Sequence, residues 1–136
     1  VRQHTEPEGG KAVELKIEID ARKLKKVLDT GKLDATLKDI IKYHNQEMAR
    51  KSQRLVPVVT GHLKDSKEEE INFEDKGVYE GKVRYTADYA GYVEVGTRFM
   101  SKKPYLAPAL RAVKEDFKDD ILRAVKALER GPDLGH

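Results

Sequence analysis

Between Ala107 and Arg130 the apolar residues Leu110, Val113, Phe117, Ile121, Ala124 and Leu128 recur every three or four positions. That spacing marks one face of a long α-helix, and the rest of the chain must supply an apolar surface to cover it. A second stripe, Leu33, Leu37, Ile40, Ile41, His44, Met48 and Leu55, predicts another long helix from about Leu33 to Leu55. Pro57 closes it, because the residue before a proline is pushed out of the α region. A different period precedes these helices. Val13, Leu15, Ile17 and Ile19 alternate with Glu14, Lys16, Glu18 and Asp20, the pattern of a half-buried strand. Asp20 is placed to cap a short helix with Leu24, Val27 and Leu28 on its apolar face, ending near Gly31.

The middle of the chain reads as a turn or short helix at residues 60–66, then two strands between Lys67 and Tyr85. Ile71 and Phe73 alternate on the first strand, Val83 and Tyr85 on the second, and Asp75-Lys76-Gly77 supplies the turn. Tyr89, Tyr92 and Val93 follow at i, i+3, i+4, which favours one or two helical turns ending at Gly96. The expected fold is α+β: a small antiparallel sheet packed with two long amphipathic helices in a single domain. That domain spans 12–130, flanked by a flexible N-terminal arm (1–11) and a flexible C-terminal tail (131–136), neither of which has apolar periodicity.

Charged and hydrophobic residues each make up 38% of the chain, so its few apolar positions must be concentrated in one core. The net charge of +3 is too balanced for a dedicated nucleic-acid binder, but its distribution is uneven. Residues 21–66 carry +6 and residues 67–80 carry −4. Patches of opposite sign suit docking between copies or partners, because they steer and register an encounter.

With no cysteine, thiolate metal sites, disulfides and a cysteine nucleophile are excluded. The histidines His4, His44, His62 and His136 show no metal-ligand spacing, and no HExxH, Walker loop, dinucleotide fingerprint or nucleophile elbow is present. His44 sits on a core-facing stripe and reads as a hydrogen-bonded structural residue. Glu94 lies in an aromatic and aliphatic cluster, where a carboxylate either acts as a general acid or base or pairs with a cation such as Arg98 or a neighbouring chain. No second carboxylate or nucleophile accompanies it, so no catalytic residue, cofactor or metal is expected. No apolar run is long enough for a membrane span, and the polar N-terminal residues do not form a secretory leader. Four of the six tyrosines fall within residues 85–105, a density that suits either an interface or an aromatic core wall.

Three motifs run through this stretch. Pro57, Val58, Thr60, Gly61, Leu63 and Ser66 form the first. Tyr89, Tyr92, Val93, Glu94, Gly96 and Thr97 form the second, and Pro104, Leu106, Pro108, Ala109 and Leu110 the third. In this order, followed by a long amphipathic helix, they resemble the small head–tail joining, or tail-completion, proteins of tailed bacteriophages and prophages. The resemblance implies a non-enzymatic virion assembly protein at the neck or proximal tail. It would be made in the host cytoplasm and act as an oligomeric ring between head-connector and tail proteins, with DNA close by in the channel. Tyr89, Tyr92 and Glu94 would then define the fold or contact neighbouring subunits. Gly61 and Gly96 are expected in backbone conformations that other residues resist, and Thr60 and Thr97 as caps.

Two other readings stand beside this one. A small nucleic-acid-binding protein would use the basic segment 21–66, with Arg22, Lys23, Lys25, Lys26, Lys32, Lys38 and Lys42 on phosphates. A hydrolase would centre on Glu94 and His62.

Overall fold

The structure is a computed structural model that describes residues 2–7, 13–28, 31–57, 61–74, 77–87, 90–95 and 104–129. In chain order the elements are strands β1 (Arg2–Pro7) and β2 (Val13–Asp20), helices α1 (Arg22–Leu28), α2 (Gly31–Leu55) and α3 (Gly61–Asp65), strands β3 (Lys67–Glu74) and β4 (Val78–Tyr85), and helices α4 (Ala90–Val95) and α5 (Leu106–Glu129). The fold is α+β, as the two periodicities predict. All strands are antiparallel, in the order β1-β2-β4-β3.

The period of two decides which face of the sheet is covered. Val13, Leu15, Ile17 and Ile19 on β2 lie opposite Tyr85, Val83, Gly81 and Tyr79 on β4, and all of these are buried. Helix α2 covers this face. Its buried residues Leu33, Leu37, Ile40, Ile41, His44 and Met48 fall on the predicted stripe, Ala49 and Ser52 are buried beside them, and α5 adds Leu106, Ala109, Val113 and Phe117. The two long helices therefore share one side of the sheet. They run antiparallel: the C-terminal turn of α2 meets Tyr85 beside Tyr105, while His44 meets Asp120 further along α5. The alternate residues of the strands form the opposite face, and every one of them from Glu14 to Glu18, Glu80 to Arg84 and Glu68 to Glu70 is charged.

Two glycines set the close approaches. Gly77 has φ +101° and makes the β3–β4 turn, while its carbonyl accepts the Ala21 N–H at 2.8 Å and so docks the start of α1. Gly81 lets α2 reach the sheet. A Cβ there would come within 2.8 Å of Asn45 Oδ1, and Asn45 Nδ2 donates to the Lys82 carbonyl at 3.2 Å.

Several expectations need correction. Arg2–Pro7, assigned to the arm, pairs with β2 as an edge strand, where backbone hydrogen bonding needs no apolar alternation. Val27 is 80% exposed and does not belong to the apolar face of α1. Leu55 is 44% exposed at the end of α2, where Ser52 and Val56 take the buried positions instead. Ile71 is 36% exposed on the outermost strand, with no neighbour beyond it.

The Gly81 contact yields a prediction. Gly81→Ala lowers stability by about 1–3 kcal/mol, since the added methyl must displace a packed amide. In urea denaturation, the same change made in an Asn45→Ala background costs measurably less.

Candidate functional site

Helix α5 begins with backbone amides that have no partner inside the helix. Glu94, only 5% exposed, turns its carboxylate onto that end. One oxygen accepts the N–H of Tyr105 at 3.0 Å and of Leu106 at 2.7 Å, and the other accepts that of Ala107 at 3.3 Å. Pro108 follows and has no N–H to satisfy, so the first turn is complete. The negative charge also faces the positive end of a 24-residue helix. This pairing was not among the sequence-level alternatives for Glu94. Among the described residues its partners are main-chain amides, and both oxygens accept hydrogen bonds.

A second link binds the same elements. The buried Tyr105 hydroxyl donates to the Ala90 carbonyl at 2.9 Å, tying the start of α5 to the start of α4. Its ring meets Tyr85 edge-on at 4.9 Å. The Tyr85 hydroxyl accepts from Gln53 Nε2 at 2.9 Å and contacts Ser52 Oγ at 2.7 Å. Ser52 donates its single proton to the Ala49 carbonyl at 2.8 Å, so Tyr85 is the donor to Ser52.

The first motif joins this hub from below. Leu63 is buried, Ser66 Oγ donates to the Leu63 carbonyl at 2.7 Å, and the Ser66 carbonyl accepts Thr86 N–H at 3.2 Å. Gln53 also donates to the Lys64 carbonyl at 3.1 Å. Parts of all three motifs thus converge on one place, where α2, α3, α4, β4 and α5 meet.

Within the described residues, Leu63, Ser66, Glu94 and Leu106 of the motifs make contacts inside the fold. Tyr85 and Tyr105 are core wall, and so is Tyr79, whose hydroxyl donates to Asp34 at 2.7 Å. That bond, together with Lys38 at 3.0 Å, holds the Asp34 carboxyl below the usual carboxylate range. Val93 is partly buried against the core, and Pro57, Pro104 and Pro108 are half-buried. Gly61 is corrected. It opens α3 without a positive φ, and a Cβ there meets nothing closer than 3.6 Å. Thr60, Tyr89, Gly96 and Thr97 and the side chain of Tyr92 lie outside the described residues.

His44 is the structural residue that its stripe implied. Its Nε2 sits 2.7 Å from Asp120 Oδ2, with Tyr43 and Phe117 edge-on to its ring.

The basic segment is less available for phosphates than its charge suggests. Arg22 is held by Asp20 at 2.6 Å and Lys38 by Asp34. Lys38 and Lys42 also lie over the Phe73 ring, and the Lys25 stem crosses Gly77. Lys23 and Lys26 remain exposed and make no ion pair among the described residues.

The sequence reading missed the charged sheet face. Arg84 alone serves Glu14 at 3.0 Å and Glu68 and Glu70 at 3.6 Å each, while Lys16 bridges Glu18 and Glu80. The signal was present: the polar half of each alternation is charged except at Asn72. Among the described residues, no group of His, Asp or Glu has the arrangement of a metal site, and no helix is long and apolar enough to cross a membrane.

Two measurements test this hub. Glu94→Gln keeps the shape but sets an amide NH₂ against backbone donors. It costs about 1–3 kcal/mol in urea denaturation, with faster hydrogen exchange at Tyr105, Leu106 and Ala107. Burial pushes the Tyr85 hydroxyl above the usual tyrosine value of 10.0, against the lowering effect of Ser52 and Gln53. The folded state therefore holds this proton more tightly than the unfolded chain. Its contribution is intact below about pH 10 and is lost as pH rises towards the folded pKa. A stability profile through that range falls less steeply for Tyr85→Phe than for the wild type.

Residues 21–96, more than half of the chain, match a family model described as "Bacteriophage HK97-gp10, putative tail-component". The match runs from the start of α1 to the end of α4 and includes the first motif and the second as far as Gly96. No curated protein and no solved structure matches the chain.

Proposed function

The chain belongs to the HK97-gp10-like family of bacteriophage tail components, and on that premise we propose that it is a non-enzymatic assembly protein of the neck or proximal tail. In this reading it joins the head connector to the tail, completes the tail, and acts as an oligomeric ring. Its partners are the connector and tail proteins above and below it, and its place is in the virion, with DNA passing through the channel.

The family match over residues 21–96 is the observation that carries this reading. The geometry agrees with it. Glu94 and Tyr105 fix α4 and α5 to each other and against Tyr85 of the sheet. Glu94, the strongest candidate for chemistry, is committed to three backbone amides. A rigid two-layer body with a largely charged sheet face suits a part that must stack and register with others.

The test is genetic and structural. Deleting the coding sequence from the phage or prophage that carries it is expected to leave filled heads and separate tails in electron micrographs. Supplying the chain in trans restores joined particles. Normal virions from the deletion, together with failure of the protein to bind any connector or tail component, would overturn the proposal.

A further inference from the structure

Helix α1 carries four cations in seven residues, Arg22, Lys23, Lys25 and Lys26, and no acid. Two of the four are committed. Asp20 takes the Arg22 guanidinium with both carboxylate oxygens, at 2.9 and 2.6 Å, and the Lys25 stem lies across Gly77. Lys23 and Lys26 are exposed and make no ion pair among the described residues.

Leu24 fixes how the helix is turned, because it packs partly buried against the core. At 3.6 residues per turn, Lys26 lies about 200° round the helix from Leu24, and Lys23 about 100° the other way. The two lysines are therefore i, i+3 neighbours on the side of α1 that faces away from the core.

What this face can hold follows from its composition. Protein interfaces are anchored by aromatic and other large side chains, and lysine is depleted from them. Helix α1 has no aromatic residue, and Val27 is its one exposed large apolar side chain among the described residues. Lysine is a point charge on a flexible stem and lacks the planar fork with which arginine reads a base edge. Two such groups without an anchor match a polyanion that offers dense charge and no pocket to fill. Duplex DNA is that polyanion, with one negative charge per about 1.7 Å of its axis.

We propose that the Lys23–Lys26 face of α1 meets the phosphate backbone of duplex DNA without reading its sequence. The proposal rests on the neck reading above, which supplies the duplex, and names the surface that meets it. Two cations per copy bind weakly. Repeated around a ring they act together on one duplex, while each contact exchanges easily, as passage of DNA requires. A net charge of only +3 agrees with a surface that guides DNA without holding it.

The salt dependence of binding tests it. Binding of the full chain to a fluorescent duplex is followed by anisotropy over a series of salt concentrations, with connector proteins present if the wild type requires them. Each neutralised phosphate adds about 0.9 to the slope of log K against log salt, so Lys23→Gln/Lys26→Gln flattens the slope by about 1.8. Lys23→Arg/Lys26→Arg keeps both charges and restores it. Lys51→Gln/Arg54→Gln removes the same charge near the C-terminal end of α2 and leaves the slope as it was. Unchanged midpoints in urea show that the variants fold, and a duplex of different sequence gives the same affinity.

A wild type that binds no duplex at the lowest salt, alone or with connector proteins, overturns the contact. So does a slope that falls equally in the α1 and α2 variants, since it reports total charge alone. An α1 variant that binds DNA as the wild type does but no longer captures a connector or tail protein assigns the face to an acidic protein surface, and also overturns it. The neck reading is judged separately. If the deletion phage makes normal virions while the slope loss in the α1 variant persists, the neck reading falls and the phosphate contact stands. If the deletion separates heads from tails while the slopes agree, the contact falls and the neck reading stands.

Discussion

The fold turns on a carboxylate that spans eleven residues of sequence to close the end of a helix. Glu94 accepts the N–H groups of Tyr105, Leu106 and Ala107, and Pro108 removes the next donor. A helix end left bare in a buried setting would carry several unsatisfied amides, each costing about 1–3 kcal/mol. With Glu94 in place, α5 can begin inside the protein, directly against Tyr85 and Ala90. That start fixes where the rest of its apolar stripe falls on α2. Helix α4 and the start of α5 are thus fastened together twice, by the Glu94 carboxylate and by the Tyr105 hydroxyl on Ala90.

The sheet divides the molecule into two unlike surfaces. One face carries α2 and α5 and contains the core. The other is a lattice of Glu, Lys and Arg in which single cations answer several carboxylates. Mutual pairing among partly exposed side chains contributes little to stability. What such a face offers is a patterned surface that favours some partners and repels others.

The helices and the two central strands were legible because burial imposes a period on sequence. The α5 stripe, the α2 stripe and the β2 alternation each appear within a residue or two of their predicted positions. Failures came where that period is absent or misleading. β1 is held by backbone pairing and carries no apolar signature. Val27 and Leu55 have the right spacing but are exposed. Gly61 looked like a turn glycine, yet it opens a short helix with ordinary dihedrals. The tyrosines were ambiguous in sequence, since a ring with a hydroxyl serves an interface or a core equally well. Depth resolves Tyr79, Tyr85 and Tyr105, all without solvent contact.

The sequence by itself determined the class of fold, the two long helices, the charge asymmetry between residues 21–66 and 67–80, and the motifs that point to a phage family. Each of these is a local pattern or a sum over a segment, readable without knowing what lies opposite. Tertiary structure alone decided what Glu94 does, which tyrosines are core, which lysines are already engaged, and that the charged halves of three strands form one surface. These depend on partners distant in the chain. Glu94 meets its amides only after α5 has docked, and Arg84 meets Glu14 across strands 70 residues apart in sequence, because an isolated side chain carries no record of which neighbour packing will bring to it.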